Sequence, residues 1–459
     1  MTPLSPVDQL FLWLEKRQQP MHVGGLHLYS FPEGVGPKYI TELAETLRSY
    51  AAPQKPFNKR LVTRFGKYYW EEDAQFDIEH HFRHLALPKP GDIRELLRLV
   101  SAEHSNLMDR ERPLWEFHLI EGVQGKRFAV YTKAHHAMID GIGAMRMTMR
   151  SLSTDPATRE MPPVWAMPPK PQKPEQDDRR EEDDWLSNVA KIYQATGKQL
   201  SSIPHVAREV IGAFRKNQKA ENFVSAFQAP QCLLNQKVTG SRRFAAQSYP
   251  IERFKQVAKA FDATLNDVVL AVCGSALRNY LISQRALPRQ PLISMVPMSL
   301  RSDDSEGGNQ IAMILANLGT HVADPADRIG IIKASVQEAK KTFSQFTPEE
   351  AIMYTATMMA PAGLNLLTGL VPQAQAFNVI ISNVPGPKEP LYFNGAKLEG
   401  MYPVSIPLDR VALNITLVSY IDQLEFGLTA CRRTLPSMQR LLDYLENGIK
   451  ELEVAAGIQ

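Results

Sequence analysis

Cysteine is scarce in this chain: Cys232, Cys273 and Cys431 are its three in 459 residues, too far apart for zinc-finger spacing or a disulfide framework. That scarcity fits a reducing cytoplasm. Net charge is slight as well, +3, and no Lys/Arg-rich block is long enough to track a nucleic-acid backbone, which excludes DNA and RNA as expected partners. There is no glycine-rich phosphate loop followed by lysine, and Gly141-Ile-Gly143 lacks the third glycine of a dinucleotide fingerprint. The segment Met1 to Leu14 contains Asp8 and has neither a basic n-region nor a small-residue cleavage site, so it does not read as a secretory signal. One apolar run, Met353 to Pro372, approaches membrane-spanning length, but Pro361, Gly363, Asn365 and Gly369 interrupt it. It is expected to be a buried or interfacial helix.

What is present suits a two-domain globular protein, since the length fits two units of roughly 150 to 200 residues plus a connector. Residues 1–154 mix strand-like and helical patterns, such as Gly25 to Ser30 and Ile93 to Met108, which is an α/β signature. Residues 155–222 form the expected connector: prolines dominate from Pro156 to Pro174, and mixed charges fill Asp177 to Asp184. Helical spacing returns from Trp185 to Asn217, with Val206, Val210, Ile211 and Phe214 on one stripe. The second domain spans 223–459. A helix opens at Leu265-Asn266-Asp267, and strands are expected at Pro291 to Leu300, Phe377 to Ser382, Leu413 to Tyr420 and Leu424 to Ala430.

The chemistry concentrates in His135-His136-Ala-Met-Ile-Asp140-Gly141. A buried-strand pattern, Phe128 to Ala134, precedes it, and helical spacing through Ile142, Met145 and Met149 follows, which places the motif at a strand-to-helix junction. Adjacent residues on an extended segment point to opposite faces, so His135 and His136 do not readily converge on one ligand, and only one is expected to be catalytic. The same geometry, with no H-E-x-x-H spacing or cysteine cluster, argues against a metal. A histidine of ordinary pKa, about 6.5, is largely neutral in the cytoplasm and able to take a proton from a hydroxyl. Asp140 has two readings, a carboxylate that orients the histidine or a cap on the helix opening at Gly141, of which the cap is favoured. Arg301, after Val296-Pro-Met-Ser-Leu300, is the candidate partner for a buried ion pair with it.

These residues sit among others that carry a resemblance. The chain resembles the bacterial bifunctional wax ester synthases/acyl-CoA:diacylglycerol acyltransferases, within the superfamily of CoA-dependent acyltransferases that includes chloramphenicol acetyltransferase and peptide-synthetase condensation domains. The likeness runs nearly end to end, through Leu4 to Asp8, Met21 to Gly25, Met108 to Trp115, His135 to Gly141, Asn266-Asp267, Val296 to Arg301, Gly308-Asn309-Gln310 and Ile381 to Pro387. The histidine motif by itself indicates only the superfamily. Pro113-Leu114-Trp115, Asn266-Asp267 and Ser382 to Pro387 point to the wax ester family.

The resemblance implies an α/β fold of two similar chloramphenicol-acetyltransferase-like sandwich domains, with the active site in a tunnel between them. It also implies that His136 is the general base, with His135, Asp140 and Gly141 supporting the motif. The donor would be acyl-CoA, a substrate rather than a cofactor, and the acceptor a long-chain alcohol or diacylglycerol. No cofactor and no acyl-enzyme are implied, because a thioester is already activated. The protein would be cytoplasmic and peripherally associated with the inner membrane or lipid inclusions.

The remaining candidates have structural readings beside the functional ones. Pro113-Leu114-Trp115 reads equally as a packed corner or a site-adjacent wall. N-capping accounts for Asn266 and Asp267. Ser382-Asn383-Val-Pro-Gly-Pro387 reads as turn chemistry lining a channel, with Asn383 the stronger polar candidate. His80, His81 and His84 are expected on an extended stretch rather than in a metal site, and His22 is structural or pocket-lining. Two rival functions remain: an acyltransferase of the same superfamily with another donor or acceptor, and a non-catalytic lipid-binding protein.

Overall fold

Fifteen strands and the helices between them are described in a computed structural model, which covers residues 1–168, 224, 228–299, 311–344 and 375–458. Near the N-terminus, β1 (Thr2–Pro3), β3 (Lys59–Arg64) and β4 (Lys67–Glu72) make a small sheet ordered β1-β4-β3. The first large sheet contains β2 (His22–Ser30), β5 (Phe82–Ala86), β6 (Trp115–Val123), β7 (Arg127–His135), β12 (Tyr392–Phe393) and β13 (Ala396–Val404), ordered β12-β13-β2-β7-β6-β5. The second contains β8 (Arg242–Pro250), β9 (Ile293–Ser299), β10 (Ile311–Asn317), β11 (Val379–Val384), β14 (Leu413–Tyr420) and β15 (Gln423–Cys431), ordered β10-β9-β11-β14-β15-β8. Both large sheets are mixed: β5 runs parallel to β6, and β11 runs parallel to β9 and β14. This is a two-domain α/β architecture.

The strands follow from residues that tolerate burial on both faces. Phe128, Ala129, Val130 and Tyr131 of β7 are all buried; Phe128 and Val130 join one hydrophobic cluster, Ala129 and Tyr131 another. Five helices lie in the first half: α1 (Pro6–Leu14), α2 (Tyr39–Ser49), α3 (Ile78–His81), α4 (Ile93–Glu103) and α5 (Gly141–Arg150). Ser5, Asp92 and Asp140 cap α1, α4 and α5 with side-chain oxygens. In the second half, the helix Leu265–Ser283 is almost wholly buried and packs beside Arg440–Ala455 and Pro325–Phe343 in one large core.

Several sequence expectations change. Residues 392–404, grouped on sequence with the second domain, complete the first sheet. There Leu398 lies opposite Tyr29 and Met401 opposite His27, and their apolar faces find cover beside β2. β13 also packs against β15, where Gly427 is required: a Cβ there would lie 1.9 Å from the Pro403 carbonyl oxygen. The helix expected from Ile93 to Met108 stops at Glu103, after which the His104 ring turns inward to bond Tyr131 and the Ser405 carbonyl. The stretch with the three histidines is not wholly extended, because Asp77 caps a helical turn at Ile78–His81 before β5. Ser382 and Asn383 belong to β11 rather than to the following turn, paired with Thr416 and Leu417. Most of the connector, the helical pattern from Trp185 to Asn217, Arg301, Gly308 to Gln310 and Met353 to Pro372 lie outside the described residues. Among the described residues no single helix is long and apolar enough to cross a membrane.

Candidate active site

β7 ends at His135 and α5 begins at Gly141, so the histidine motif forms a tight link between a buried strand and a helix. Asp140 caps that helix, its Oδ1 accepting the Gly143 N–H at 2.6 Å. Its side chain is exposed, and Arg301, the expected partner for an ion pair with it, lies outside the described residues. Open space surrounds the position that a Cβ would take at Gly141, so steric crowding does not require glycine there.

The two histidines diverge as strand geometry requires. His135 is fully buried; its Nδ1 accepts the Ala137 N–H at 3.0 Å, and its Nε2 lies 3.4 Å from Glu15 Oε1. His136 is half-buried, with its ring stacked on Phe11 at a centroid distance of 4.1 Å. Burial pushes the His136 imidazole down to about 4, against the opposing pull of the Asp140 carboxylate. Its Nδ1 is buried and makes no hydrogen bond.

Glu15, not singled out on sequence, ties this link together. Its Oε1 accepts the Met21 N–H at 3.1 Å, the Met21 carbonyl accepts the His136 N–H at 2.9 Å, and Arg110 Nη2 lies 2.9 Å from Oε2. Burial raises the Glu15 carboxyl, yet contact with His135, the Met21 N–H and Arg110 outweighs it and holds the group at about 2. Glu15 sits just past α1, 120 residues from His135 in sequence, and no local pattern connects the two. Its one foothold is that Arg110 lies inside the block from Met108 to Trp115.

That block does reach the motif. The Leu114 carbonyl accepts the His135 N–H at 2.9 Å, and Trp115 lies opposite Ala134 in the strand pair. Trp115 is buried, donates Nε1–H to the Phe57 carbonyl at 2.8 Å and stacks on His81. Pro113 is buried and forms a bridge with Arg60. The other candidates stand apart. Asp267 closes a capping box with Thr264, while Asp267 Oδ1 and Asn266 Nδ2 are buried without hydrogen-bond partners. Ser382 and Asn383 are half-buried on β11. Among the described residues, no hydrogen bond, ion pair or ring contact joins these four to the motif.

Behind His135 lies a buried polar network. His22 is paired with His135 across the strands, and its Nε2 bonds the His104 carbonyl at 2.8 Å. Lys133 Nζ is 3.0 Å from Glu116 Oε2, an oxygen that His118 Nε2 also approaches at 3.0 Å. Glu103, Glu116 and His118 bring ligand-type atoms together, but the Lys133 ammonium is already the cation at that carboxylate. His80, His81 and His84 turn to three different partners, Asp77, the Trp115 carbonyl and Glu121. On the opposite face of β7, the face of His136, a small and mostly apolar cavity under α5 is lined by residues including His27, Tyr29, Val130 and Thr132.

Residues 4–269 match the family model described as the wax ester synthase/diacylglycerol acyltransferase catalytic domain, and residues 307–453 match the WS/DGAT C-terminal domain. The chain is 50% identical over 455 residues to the O-acyltransferase WSD of Acinetobacter baylyi, covering 99% of this chain and 97% of that protein. It is 44% identical over 461 residues to a probable diacylglycerol O-acyltransferase of Mycobacterium tuberculosis, covering 99% of each. The solved structure of the wax ester synthase/diacylglycerol acyltransferase from Marinobacter aquaeolei VT8 aligns over 100% of both chains with a TM-score of 0.82 and 52% identity. The first condensation domain of the CDA synthetase shares the fold, with a TM-score of 0.57 at 16% identity over 99% of this chain and 95% of that one.

Proposed function

Because the chain belongs to the wax ester synthase/diacylglycerol acyltransferase family, it is an acyltransferase, and we propose that it carries a long-chain fatty acyl group from acyl-CoA to the hydroxyl of a long-chain alcohol or diacylglycerol, with His136 as general base. The observation that carries the residue assignment is the state of His136. It is neutral at near-neutral pH and held against Phe11, and its Nδ1 is buried, which leaves Nε2 to meet a substrate.

Nε2 takes the acceptor's hydroxyl proton as the oxygen attacks the thioester carbonyl. The tetrahedral oxyanion then collapses, the C–S bond breaks, and the imidazolium returns its proton to the departing CoA sulfur. The Asp140 charge stabilises that transient imidazolium. No acyl-enzyme is needed, since the thioester is activated before it arrives. Burial supports the same reading for Cys232 and Cys273, whose thiols it pushes up and away from the reactive thiolate.

Contact with a lipid surface belongs to this proposal. Phe65 is fully exposed at the tip of the β3–β4 hairpin, flanked by Arg64 and Lys67, an aromatic and basic tip suited to an anionic interface. Loss of sedimentation with phosphatidylglycerol vesicles in Phe65→Ser tests it.

The deciding assay follows thiol release from palmitoyl-CoA with hexadecanol, a short alcohol or diacylglycerol. Release that requires an acceptor, and that disappears in a folded His136→Ala variant, is the expected result. Full activity in that variant would overturn the assignment of the base.

A further inference from the structure

Where the two halves of the chain meet, a second site stands apart from the histidine motif. Arg98, Ser101, Ala102 and Ser105 of the α4 region face Ser241, Arg242, Arg243 and Arg432 across a pocket of about 290 Å³. Four arginines line it, and the charges of Arg98, Arg243 and Arg432 act on one another. Arg98 pairs with Glu95 at 3.0 Å. Arg242 is buried, and among the described residues its side chain bonds to the carbonyl oxygens of Thr239 and Gln18 and to no carboxylate. Arg243 and Arg432 have no carboxylate partner among the described residues, and Arg432 and Arg98 both push against the charge of Arg243.

Like charges this close repel, and a buried guanidinium lacking a counter-ion is costly. The fold nevertheless fixes the walls. Ser105 Oγ accepts the Arg242 N–H at 2.9 Å, and Ser101 Oγ accepts the Phe244 N–H at 2.9 Å, which staples α4 to β8. A cluster of guanidinium groups on fixed walls matches the oxygens of a phosphate better than those of a lone carboxylate, because the planar fork engages two oxygens at once.

We propose that this pocket binds phosphate groups of the nucleotide end of the acyl-CoA donor, a reading that rests on the donor assigned above. Its placement suits that role. His104, next to Ser105, offers its carbonyl to His22, and His22 faces His135 across the strand pair, so the pocket and the motif share one polar seam. The pantetheine arm separates the phosphates of CoA from its thioester, so a phosphate site belongs at the rim and not beside His136.

The test uses the full chain with Arg243→Ala, Arg432→Ala and the double variant, all at half-buried or exposed positions. The double variant should raise KM for palmitoyl-CoA by about tenfold or more, with kcat and the KM for hexadecanol unchanged. With palmitoyl-pantetheine as donor, wild type and variant should coincide. Calorimetry with CoA and 3′-dephospho-CoA needs no turnover: weaker CoA binding in the variant supports the site even if the alcohol proves to be the wrong acceptor. An unchanged KM for palmitoyl-CoA together with unchanged CoA binding overturns the proposal, as does an equal loss with palmitoyl-pantetheine. Loss of binding to phosphatidylglycerol vesicles with CoA binding intact also overturns it, by assigning the arginines to lipid phosphates.

Discussion

The two large sheets differ in what surrounds them. Around the first sheet six histidines are buried, along with Lys133 and the Glu15 side chain, and its apolar residues divide into separate clusters on its two faces. The second sheet and its helices share one continuous core, from Val268 and Leu270 through Phe426 and Leu428 to Ile449 on the last helix. Nine of the eleven histidines precede residue 137. The difference teaches that the halves share an architecture but are held differently, since the first gathers the histidines and the buried ion pairs around the motif and the second rests mainly on apolar contacts.

The sharpest break in that comparison is expected from His136→Ala, which should lower kcat by about a thousandfold while leaving the melting temperature near wild type. Glu15→Ala should damage both properties. Removing one partner of a buried ion pair costs about 3 kcal/mol, and the freed Met21 and His135 no longer fix the main chain of His136. Paired denaturation and kcat measurements test this, and loss of stability with unchanged kcat would confine Glu15 to folding. Leu428→Ala, in the apolar half, should cost about 3 kcal/mol by leaving a cavity, with kcat unchanged well below the melting temperature.

Acid should separate the halves further. His27 and His136 have folded pKa values of about 4 and His104 about 3, while unfolded histidines bind protons at about 6.5. The unfolded chain therefore takes up more protons between those values, and stability falls as pH drops from about 6.5 toward 4. Urea midpoints across that range check this. Glu425 in β15 behaves in the opposite sense. Burial raises it to about 7, against hydrogen bonds from Ser248 and Tyr402, so its stabilising contribution is present below its unfolded value and is lost as pH rises through 7. Glu425→Gln should raise the melting temperature slightly at pH 8 and leave it unchanged at pH 5.

Much of this was legible in local patterns. Alternating apolar residues indicated Leu413–Tyr420 with the observed bounds, and Asp140 before Gly141 indicated a capped helix. Pro113-Leu114-Trp115 drew attention through family likeness, and the carbonyl of Leu114 explains why it lies against the motif. Other features left no such trace. Strand β13 reads like any half-buried strand, and nothing in its residues says that it crosses to the first sheet. Glu15 reads as an ordinary carboxylate at a helix end. The arginines of the seam are scattered at positions 98, 242, 243 and 432, with no spacing that marks a site.

The sequence by itself determined the strand-to-helix link, the opposite orientations of His135 and His136, and the family, because each depends on neighbours within a few residues or on blocks that survive as strings. Tertiary structure alone decided which carboxylate holds His135, that burial lowers the His136 imidazole, and that four arginines line one pocket. Those outcomes depend on desolvation and on distances between residues far apart in the chain, and both are set only when the sheets close.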